Sequence, residues 1–264
     1  MPIPASELRV TLFQTDLVWE NPAANRAALE IQIRNLAKPT DLLILPEMFS
    51  TGFTMNAPAL AETMNGPTVN WLQEMADLKQ AAITGSIIIE DNGRYFNRLL
   101  WVQPGGQIQF YDKRHLFRMA QENAIFSAGK SKLMVNWKGW NICPLVCYDL
   151  RFPVWSRQNS KAPYDLLLYV ANWPAKRATA WKTLLPARAI ENLSYCVGVN
   201  CVGTDGQGNS YSGDSAFCTP QGEVSWLPSG TENVVKFSLN YQQLQDFRNR
   251  FPAHLDADAF EISD

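Results

Sequence analysis

The sequence predicts a layered α/β domain in which helices cover mixed β-sheets. Strand–helix alternation occupies both ends of the 264-residue chain, whereas hairpin signals occupy its middle, and a purely parallel fold would not have so many hairpins. Two runs, residues 41–47 and 165–173, are almost wholly apolar, which is typical of strands buried on both faces of a sheet. No linker, repeat or low-complexity segment interrupts the chain, so we expect a single domain over residues 1–264.

The predicted strands share short alternating or continuous apolar patterns of β-prone residues. In chain order they cover residues 8–14, 41–47, 81–90, 94–103, 108–113, 133–137, 140–147, 165–173, 195–203, 215–220 and 234–239. Turn residues at Asn92-Gly93, Pro104-Gly105-Gly106 and Lys138-Gly139 predict hairpins between neighbouring strands. Residues 49–65, 114–131 and 203–214 are expected to form loops.

Helical patterns follow or separate these strands and are predicted at residues 22–36, 67–80, 152–160, 178–192 and 241–250. The first helix opens at Asn21-Pro22, because proline suits the first helical turn. The second is expected to turn Trp71, Met75 and Leu78 toward the core. The third begins directly after the turn that follows Cys147.

The composition indicates a globular protein. Apolar residues make up 46% of the chain and charged residues 18%, which is sufficient for a large core and argues against disorder. The net charge of −2 favours neither nucleic acid nor an anionic membrane as a partner. The first ten residues do not form a signal peptide, and no apolar run approaches the ~20 residues of a membrane span. We therefore expect a cytoplasmic protein.

The numbers and spacing of the cysteines and histidines limit the kinds of site that the protein can contain. The five cysteines form no C-x-x-C pair, so neither a disulfide framework nor a zinc site is expected. There are only two histidines, His115 and His254, and most metal sites and most Cys-His or Ser-His hydrolases need one in a specific role. We expect no metal and no cofactor, and proton transfer by groups other than histidine.

Three reactive side chains lie at the ends of predicted strands: Glu47, Lys113 and Cys147. Taken singly, each is more often structural, since Glu and Lys are usually surface charges and free Cys is usually buried. Together they supply a base for the thiol, a cation for an oxyanion and a nucleophile. A carboxylate in an apolar pocket has a raised proton affinity that suits it to act as the base. The backbone N–H of Tyr148 is expected to add a second oxyanion donor.

Three motifs around these residues resemble those of the nitrilase (carbon–nitrogen hydrolase) superfamily. They are Leu-Pro-Glu-Met-Phe at 45–49, Tyr-Asp-Lys-Arg-His-Leu-Phe at 111–117 and Val-Cys-Tyr-Asp-Leu-Arg-Phe-Pro at 146–153, and the likeness extends to residues 172–174 and 187–192. The resemblance implies Glu47 as general base, Lys113 as oxyanion cation and Cys147 as nucleophile. It also implies a second glutamate, Glu122, a four-layer α-β-β-α sandwich with mixed sheets, and a homodimer.

The residues after Cys147 are similar to the amidase-type branches, and the whole chain most resembles the bacterial omega-amidases. This implies hydrolysis of the terminal carboxamide of a 2-oxo-dicarboxylate monoamide, 2-oxoglutaramate to 2-oxoglutarate plus ammonia, through a cysteine thioester. Glu122 would orient the substrate amide or tune Lys113. Candidate groups for substrate contact fall into three kinds: aromatic walls, cations for the substrate carboxylate, and charges expected to pair within the protein. The walls are Phe117, Trp173 and Phe49; the cations are Arg177, Lys176, Arg114 and Arg118; the internal charges are Arg151 in the turn after Cys147, and Arg188 with Glu191.

The residues leave three alternative functions open. The first is an amidase for another small substrate such as an N-carbamoyl compound. The second is a Cys-His hydrolase that uses His115, for which the sequence shows no partner. The third is a binding module without activity, which the complete set of Glu47, Lys113 and Cys147 argues against.

Overall fold

The computed structural model of the protein describes residues 4–37, 39–158 and 163–262. Two six-stranded mixed sheets pack face to face, and helices cover their outer faces. Alternation along β1 (Glu7–Gln14) sets the layers, because Leu12 faces the core between the sheets whereas Phe13 faces the helices. The predicted four-layer α-β-β-α sandwich is therefore confirmed. No helix within the described ranges is long and apolar enough to cross a bilayer.

The first sheet has the strand order β14-β1-β2-β3-β4-β5 and the second β13-β12-β9-β8-β7-β6, while β10 and β11 form a separate hairpin. The remaining strands are β2 (Leu42–Ile44), β3 (Ala82–Asp91), β4 (Arg94–Val102), β5 (Ile108–Asp112), β6 (Val135–Trp137), β7 (Trp140–Val146), β8 (Leu166–Ala171), β9 (Tyr195–Asn200), β10 (Val202–Thr204), β11 (Ser210–Ser212), β12 (Ala216–Cys218), β13 (Val224–Trp226) and β14 (Asn233–Asn240).

Both sheets have the same pattern of strand directions. Each contains three parallel strands, β1-β2-β3 in one and β7-β8-β9 in the other. One antiparallel strand flanks each triplet on one side. Two strands flank it on the other side, the first antiparallel to the triplet and the second antiparallel to the first. The two central strands, β2 and β8, therefore occupy equivalent positions, although the sequence shows no repeat. Side chains that follow parallel strands are delivered to one edge of each sheet.

The helices are α1 (Pro22–Arg34), α2 (Ala57–Leu60), α3 (Pro67–Lys79), α4 (Glu122–Ile125), α5 (Pro153–Ser156), α6 (Ala178–Asn192) and α7 (Tyr241–Arg250). The Asn21 side chain caps α1 by accepting from the N–H of Ala24 at 3.1 Å. Helix α6 approaches β9 closely at Gly198, where a Cβ would lie 2.6 Å from Leu185 Cδ1. This glycine is what lets α6 reach the second sheet.

Several predicted elements need correction. The predicted strand 41–47 is shorter in the structure and covers Leu42–Ile44. The Leu45 N–H still donates to the Thr84 carbonyl at 2.8 Å, but Pro46 has no N–H to donate and the chain turns at Glu47. Leu78 is 46% exposed, since the buried face of α3 is formed by Val69, Leu72, Met75 and their neighbours. The predicted helix at 152–160 is the single turn α5, and residues 159 and 160 lie outside the described residues.

All three loop predictions were also incomplete. Segment 49–65 contains α2, segment 114–131 contains α4, and segment 203–214 contains β11. The strand β13 was not predicted at all. These elements are only three or four residues long, and so short a stretch cannot display a helical or strand period.

Asp41 ties the two sheets together from a buried position before β2. Its carboxylate accepts from Arg9 Nε on β1 at 2.8 Å and from Lys138 Nζ in the turn between β6 and β7. Its carbonyl accepts from Trp137 Nε1 at 2.8 Å. Burial alone would raise the pKa of Asp41, but the bonds from Arg9 and Lys138 outweigh it and lower the pKa to about 2.

Replacing Asp41 by asparagine is expected to lower the free energy of unfolding by about 1–2 kcal/mol at pH 7. Because the folded-state pKa lies below the unfolded one, this contribution is complete above about pH 4 and is lost as the pH falls toward 2. Urea titrations of both proteins at pH 7 and pH 3 should show the stability gap closing at the lower pH. Asp246→Asn, which changes an exposed carboxylate on α7, is the control and should show no comparable gap.

Candidate active site

The three predicted reactive residues converge at the edge where the two sheets meet. Glu47 follows β2 and Lys113 follows β5 in the first sheet, and Cys147 follows β7 in the second. Lys113 Nζ lies 2.8 Å from Glu47 Oε1, and Cys147 Sγ lies 4.0 Å from the carbonyl oxygen of Asn172, whose N–H donates to the Glu47 carboxylate. Nucleophile, carboxylate and cation thus form one contiguous cluster.

Cys147 has a constrained backbone. It is a non-glycine residue with φ of +43°, at the point where β7 turns into a short 3₁₀ segment, residues 147–151. The buried Asp149 carboxylate accepts from the Val146 N–H at 3.0 Å, and from Tyr111 Oη at 2.7 Å. Because early N–H groups of a helical turn have no partner within it, the N–H of Tyr148 is available beside the thiol.

Lys113 is 1% exposed and donates to both nearby carboxylates. Its Nζ lies 3.0 Å from each oxygen of Glu122, in addition to the Glu47 contact. Burial alone would lower the pKa of Lys113, but the charges of Glu122 and Glu47 outweigh burial and raise it. The lysine is therefore a permanent cation in a water-poor site.

Glu122 begins the short helix α4 inside the segment that was predicted to be a loop. It is fully buried and also accepts from the Phe117 N–H at 2.6 Å. Burial raises the pKa of Glu122, and Lys113 opposes that shift. Glu122 thereby connects the segment that carries Phe117 to the buried lysine.

Glu47 differs from the expectation in one respect, because it does not lie in an apolar pocket. Besides Lys113, its carboxylate accepts from Asn97 Nδ2 and from the Asn172 N–H, both at 2.8 Å. Asn172 Nδ2 also donates to the Glu47 carbonyl. The base candidate is thus fully hydrogen-bonded, which fixes its position.

Neither asparagine was predicted as a site residue, although Asn172 had a signal. It follows the apolar strand β8, as Glu47 follows β2, and these two strands are equivalent in the two sheets. Asn97 lies in the middle of β4 and had no comparable signal. Only the three-dimensional arrangement identifies it.

Burial raises the pKa of the Cys147 thiol well above its usual range, and the Glu47 charge adds to this shift while Lys113 opposes it. The resting cysteine is therefore a thiol rather than a free thiolate. Cys143, on the same strand, is also fully buried and its pKa is raised by burial to about 12. It contacts the hydrophobic core, in keeping with a structural role.

A cavity of about 210 Å³ opens above the cluster. This is smaller than a typical drug-sized site, so it suits a compact substrate. Lys113 and Cys147 line the cavity. The other lining residues are polar, charged, aromatic or apolar: Phe53, Met55, Phe117, Met119, Ala120, Tyr148, Arg151, Asn172, Trp173, Pro174, Lys176, Arg177, Gln207, Asn209 and Tyr211.

Phe117, Trp173 and Arg177 all line this cavity, as predicted for substrate contacts. They are mutually braced: the Arg177 guanidinium lies 5.2 Å from the Phe117 ring centroid, and Trp173 Nε1 donates to the Arg177 carbonyl at 2.9 Å. Lys176 is also at the cavity. Two of the predicted aromatic walls and two of the predicted cations are therefore available for a substrate.

Other predicted contacts were wrong. Arg114 and Arg118 do not line this cavity, and Phe49 packs in the core against Trp71. Arg151, which was expected to make an ion pair within the turn, instead lines the cavity with its guanidinium 5.1 Å from the Trp173 ring centroid. Within the described ranges no carboxylate lies at ion-pair distance from it.

His115 does have a partner, contrary to the expectation from sequence. Its Nδ1 lies 2.7 Å from Asp149, and its ring stacks on Phe152 at 3.8 Å. It is not among the residues that line the cavity with Cys147, so nothing in the geometry favours a Cys-His pair.

Arg188 pairs with Glu191 at 3.1 Å, as predicted, and it also donates to the Leu150 carbonyl at 2.7 Å. The second contact ties α6 to the 3₁₀ turn that begins at Cys147. It therefore helps to hold the turn that positions the thiol.

Comparisons with known proteins agree with this geometry. A family model described as carbon-nitrogen hydrolase matches residues 9–249. "Omega-amidase YafV" of Escherichia coli (strain K12) is 45% identical over 256 residues, covering 97% of this chain and 98% of the relative. "2-oxoglutaramate amidase" of Bacillus subtilis (strain 168) is 31% identical over 246 residues, 92% and 95% of the two chains. The crystal structure of XC1258 from Xanthomonas campestris, a CN-hydrolase superfamily protein with an arsenic adduct in the active site, is 46% identical, with a TM-score of 0.95 and coverage of 98% and 100%.

Proposed function

The chain belongs to the carbon-nitrogen hydrolase family, and from this membership we propose that it is an omega-amidase. It would hydrolyse the terminal carboxamide of 2-oxo-dicarboxylate monoamides, with 2-oxoglutaramate giving 2-oxoglutarate and ammonia. The observation that carries the proposal is the cluster of Cys147, Glu47 and Lys113 beneath a small cavity with cations in its walls. The names of the similar amidases support the same substrate class.

The first half of the reaction forms the thioester. Glu47 accepts the thiol proton as Cys147 Sγ attacks the amide carbon, so that no free thiolate has to persist in the buried site. Negative charge develops on the amide oxygen, where Lys113 Nζ and the Tyr148 N–H stabilise it. Glu47 then gives its proton to the amide nitrogen, the C–N bond breaks, and ammonia leaves.

The second half restores the enzyme. Glu47 takes a proton from water, which attacks the thioester carbon, and the same oxyanion donors stabilise the new intermediate. The C–S bond breaks, the carboxylic acid leaves and Cys147 regains its proton. Glu122 contacts Lys113 with both oxygens and orients that cation throughout.

The substrate panel that tests this function measures ammonia release from 2-oxoglutaramate, N-carbamoyl amino acids and nitriles of similar size. We expect 2-oxoglutaramate to have the highest kcat/KM. A preference for carbamoyl compounds would assign the site to the alternative amidohydrolase. A preference for nitriles would contradict the amidase branch altogether.

We also propose, from the resemblance of the sequence, a homodimer with one domain over residues 1–264 and a cytoplasmic location. No nucleic acid or membrane partner is proposed. Size-exclusion chromatography with light scattering tests the dimer, and fractionation of cells tests the location.

Arg151→Leu is expected to raise KM for 2-oxoglutaramate by about 10- to 100-fold, because a charge-assisted bond to a substrate carboxylate would be lost. An uncharged amide of similar length should show little change, since it has no carboxylate to bind. Initial rates on both substrates give the ratio. Arg250→Leu, on α7 and outside the cavity, is the matched control, and equal effects of Arg151→Leu on both substrates would contradict this role.

A further inference from the structure

We propose that Asn97 is a positioning residue that holds Glu47 and Glu122 apart around Lys113 and keeps Glu47 ready to accept the thiol proton. This inference rests on the proposed amidase chemistry, and it concerns a residue that does not line the substrate cavity. Asn97 is 1% exposed and lies on β4 opposite Ile88 of β3. The strand pairing therefore fixes the position of the Asn97 Cα atom, from which the side chain extends.

The Asn97 amide bridges the two carboxylates. Its Nδ2 lies 2.8 Å from Glu47 Oε1 and 3.2 Å from Glu122 Oε1, so each of its two hydrogens can be given to a different glutamate. Its backbone carbonyl accepts from the Lys113 N–H at 3.0 Å. One residue thus sets the spacing of both carboxylates and the main chain of the lysine.

The charges at this point explain why such a bridge is needed. Two buried carboxylates share one buried cation, so the cluster has an excess negative charge with little water to screen it. If the two carboxylates approached each other, one would take up a proton. A neutral donor between them satisfies both without adding a second cation, which would compete with Lys113 for the substrate oxygen.

The other end of the same amide supports this orientation. Asn97 Oδ1 is buried, and among the described residues it has no hydrogen-bond partner. Rotating the amide would offer that oxygen a different environment, but it would direct an acceptor at two carboxylates. The structure therefore leaves an acceptor unpaired in order to keep the donor on the glutamates, and a residue selected only for packing has no reason to do so.

The titratable groups around Glu47 come from both sheets and from the segments that follow their strands. These groups comprise one cation and four groups that are neutral or anionic. They are Lys113 after β5, Glu122 on α4, Cys147 after β7, Cys201 after β9 and Tyr211 on β11. Burial raises the pKa values of Cys201 and Tyr211, so both stay neutral at working pH. Lys113 and Glu122 are thus the charged groups beside Glu47, and Asn97 Nδ2 contacts Glu122 directly.

The test measures kcat and KM against pH for Asn97→Ala and Asn97→Asp. Asn97→Ala removes a hydrogen-bond donor shared by two buried carboxylates, so the acid limb of kcat/KM should move up by about one pH unit. A third carboxylate in Asn97→Asp should move the limb further. The maximal kcat should fall by about 10- to 100-fold with KM within about threefold of wild type, because binding contacts are intact.

Asn192→Ala is the matched control, because Asn192 is also fully buried and hydrogen-bonded but lies at the end of α6. It should lower thermal stability without moving the acid limb. The proposal is overturned if Asn97→Ala keeps the wild-type pH profile, or if Asn192→Ala moves it equally. If Asn97→Ala unfolds, the isosteric Asn97→Asp carries the test, and unfolding of both would assign Asn97 to the fold and overturn the proposal.

Alkylation of Cys147 by iodoacetamide separates this proposal from the proposed function, because it needs no substrate. Mass spectrometry follows the Cys147 peptide, because Cys147 lines the cavity whereas the other cysteines do not: Cys143, Cys196, Cys201 and Cys218. The acid limb of alkylation should also move up in Asn97→Ala. The wild-type enzyme could fail to hydrolyse 2-oxoglutaramate while Asn97→Ala still shows this shift in alkylation. That result would reject the proposed substrate and support the role of Asn97.

Discussion

Cys147→Ala is expected to reduce amide hydrolysis by roughly 10⁴- to 10⁶-fold, the scale on which loss of a catalytic nucleophile acts. The neighbouring Glu47 and Lys113 would still bind and polarise an amide, but neither can form the thioester. Ammonia release under saturating substrate measures the loss, and mass spectrometry of wild-type enzyme mixed rapidly with substrate should show an added acyl mass on the Cys147 peptide. The alanine variant should show no such adduct.

Cys143→Ala provides the comparison, since Cys143 lies four residues earlier on the same strand and is buried away from the cavity. It should keep near-normal kcat and KM and lose only the packing of one small side chain. Substantial activity in Cys147→Ala, with an intact fold, would refute the thioester mechanism.

Lys113→Met is expected to lower kcat/KM by at least about 10²- to 10³-fold, because the cation that faces the developing oxyanion is lost. It should also lower the free energy of unfolding by about 3–5 kcal/mol, since Glu47 and Glu122 would remain buried without their shared cation. Steady-state rates and urea titrations of the same preparations measure the two effects separately.

The pH dependence of that second effect has a definite sign. Without Lys113 the carboxylates repel each other and one becomes easier to protonate, so the stability gap to wild type should shrink as the pH falls below about 5. Lys138→Met is the control, because it removes a cation from Asp41 instead. It should reduce stability without reducing kcat, and a Lys113→Met enzyme with normal kcat would exclude lysine as the oxyanion cation.

Much of the fold follows from local patterns in the sequence. Helices α6 and α7 have the predicted bounds. Both exceed two turns, and α7 also has clear end signals, because Asn240 caps its first turn and basic residues occupy its last turn. The pairing of β14 with β1 could not be predicted, since these strands come from opposite ends of the chain. Register between distant strands depends on packing rather than on any local pattern.

The site residues also divide into those that local sequence patterns could identify and those that they could not. Glu47, Lys113 and Cys147 could be found because a reactive side chain at the end of a buried strand interrupts an apolar pattern. Asn97 lies inside a strand, where an alternating polar residue is ordinary, and Arg151 was misassigned because its direction depends on how the turn after Cys147 is folded.

The division of the reactive groups between the two sheets has a practical consequence. A cut in the segment between β5 and β6, after α4, would leave Glu47, Lys113 and Glu122 on one fragment and Cys147 on the other. The second fragment would also carry β14, which completes the first sheet beside β1. Neither piece could hydrolyse an amide alone, whereas reassembly would restore base, cation and nucleophile in a single event. The architecture is therefore suited to a split reporter whose ammonia output records the association of two fused proteins.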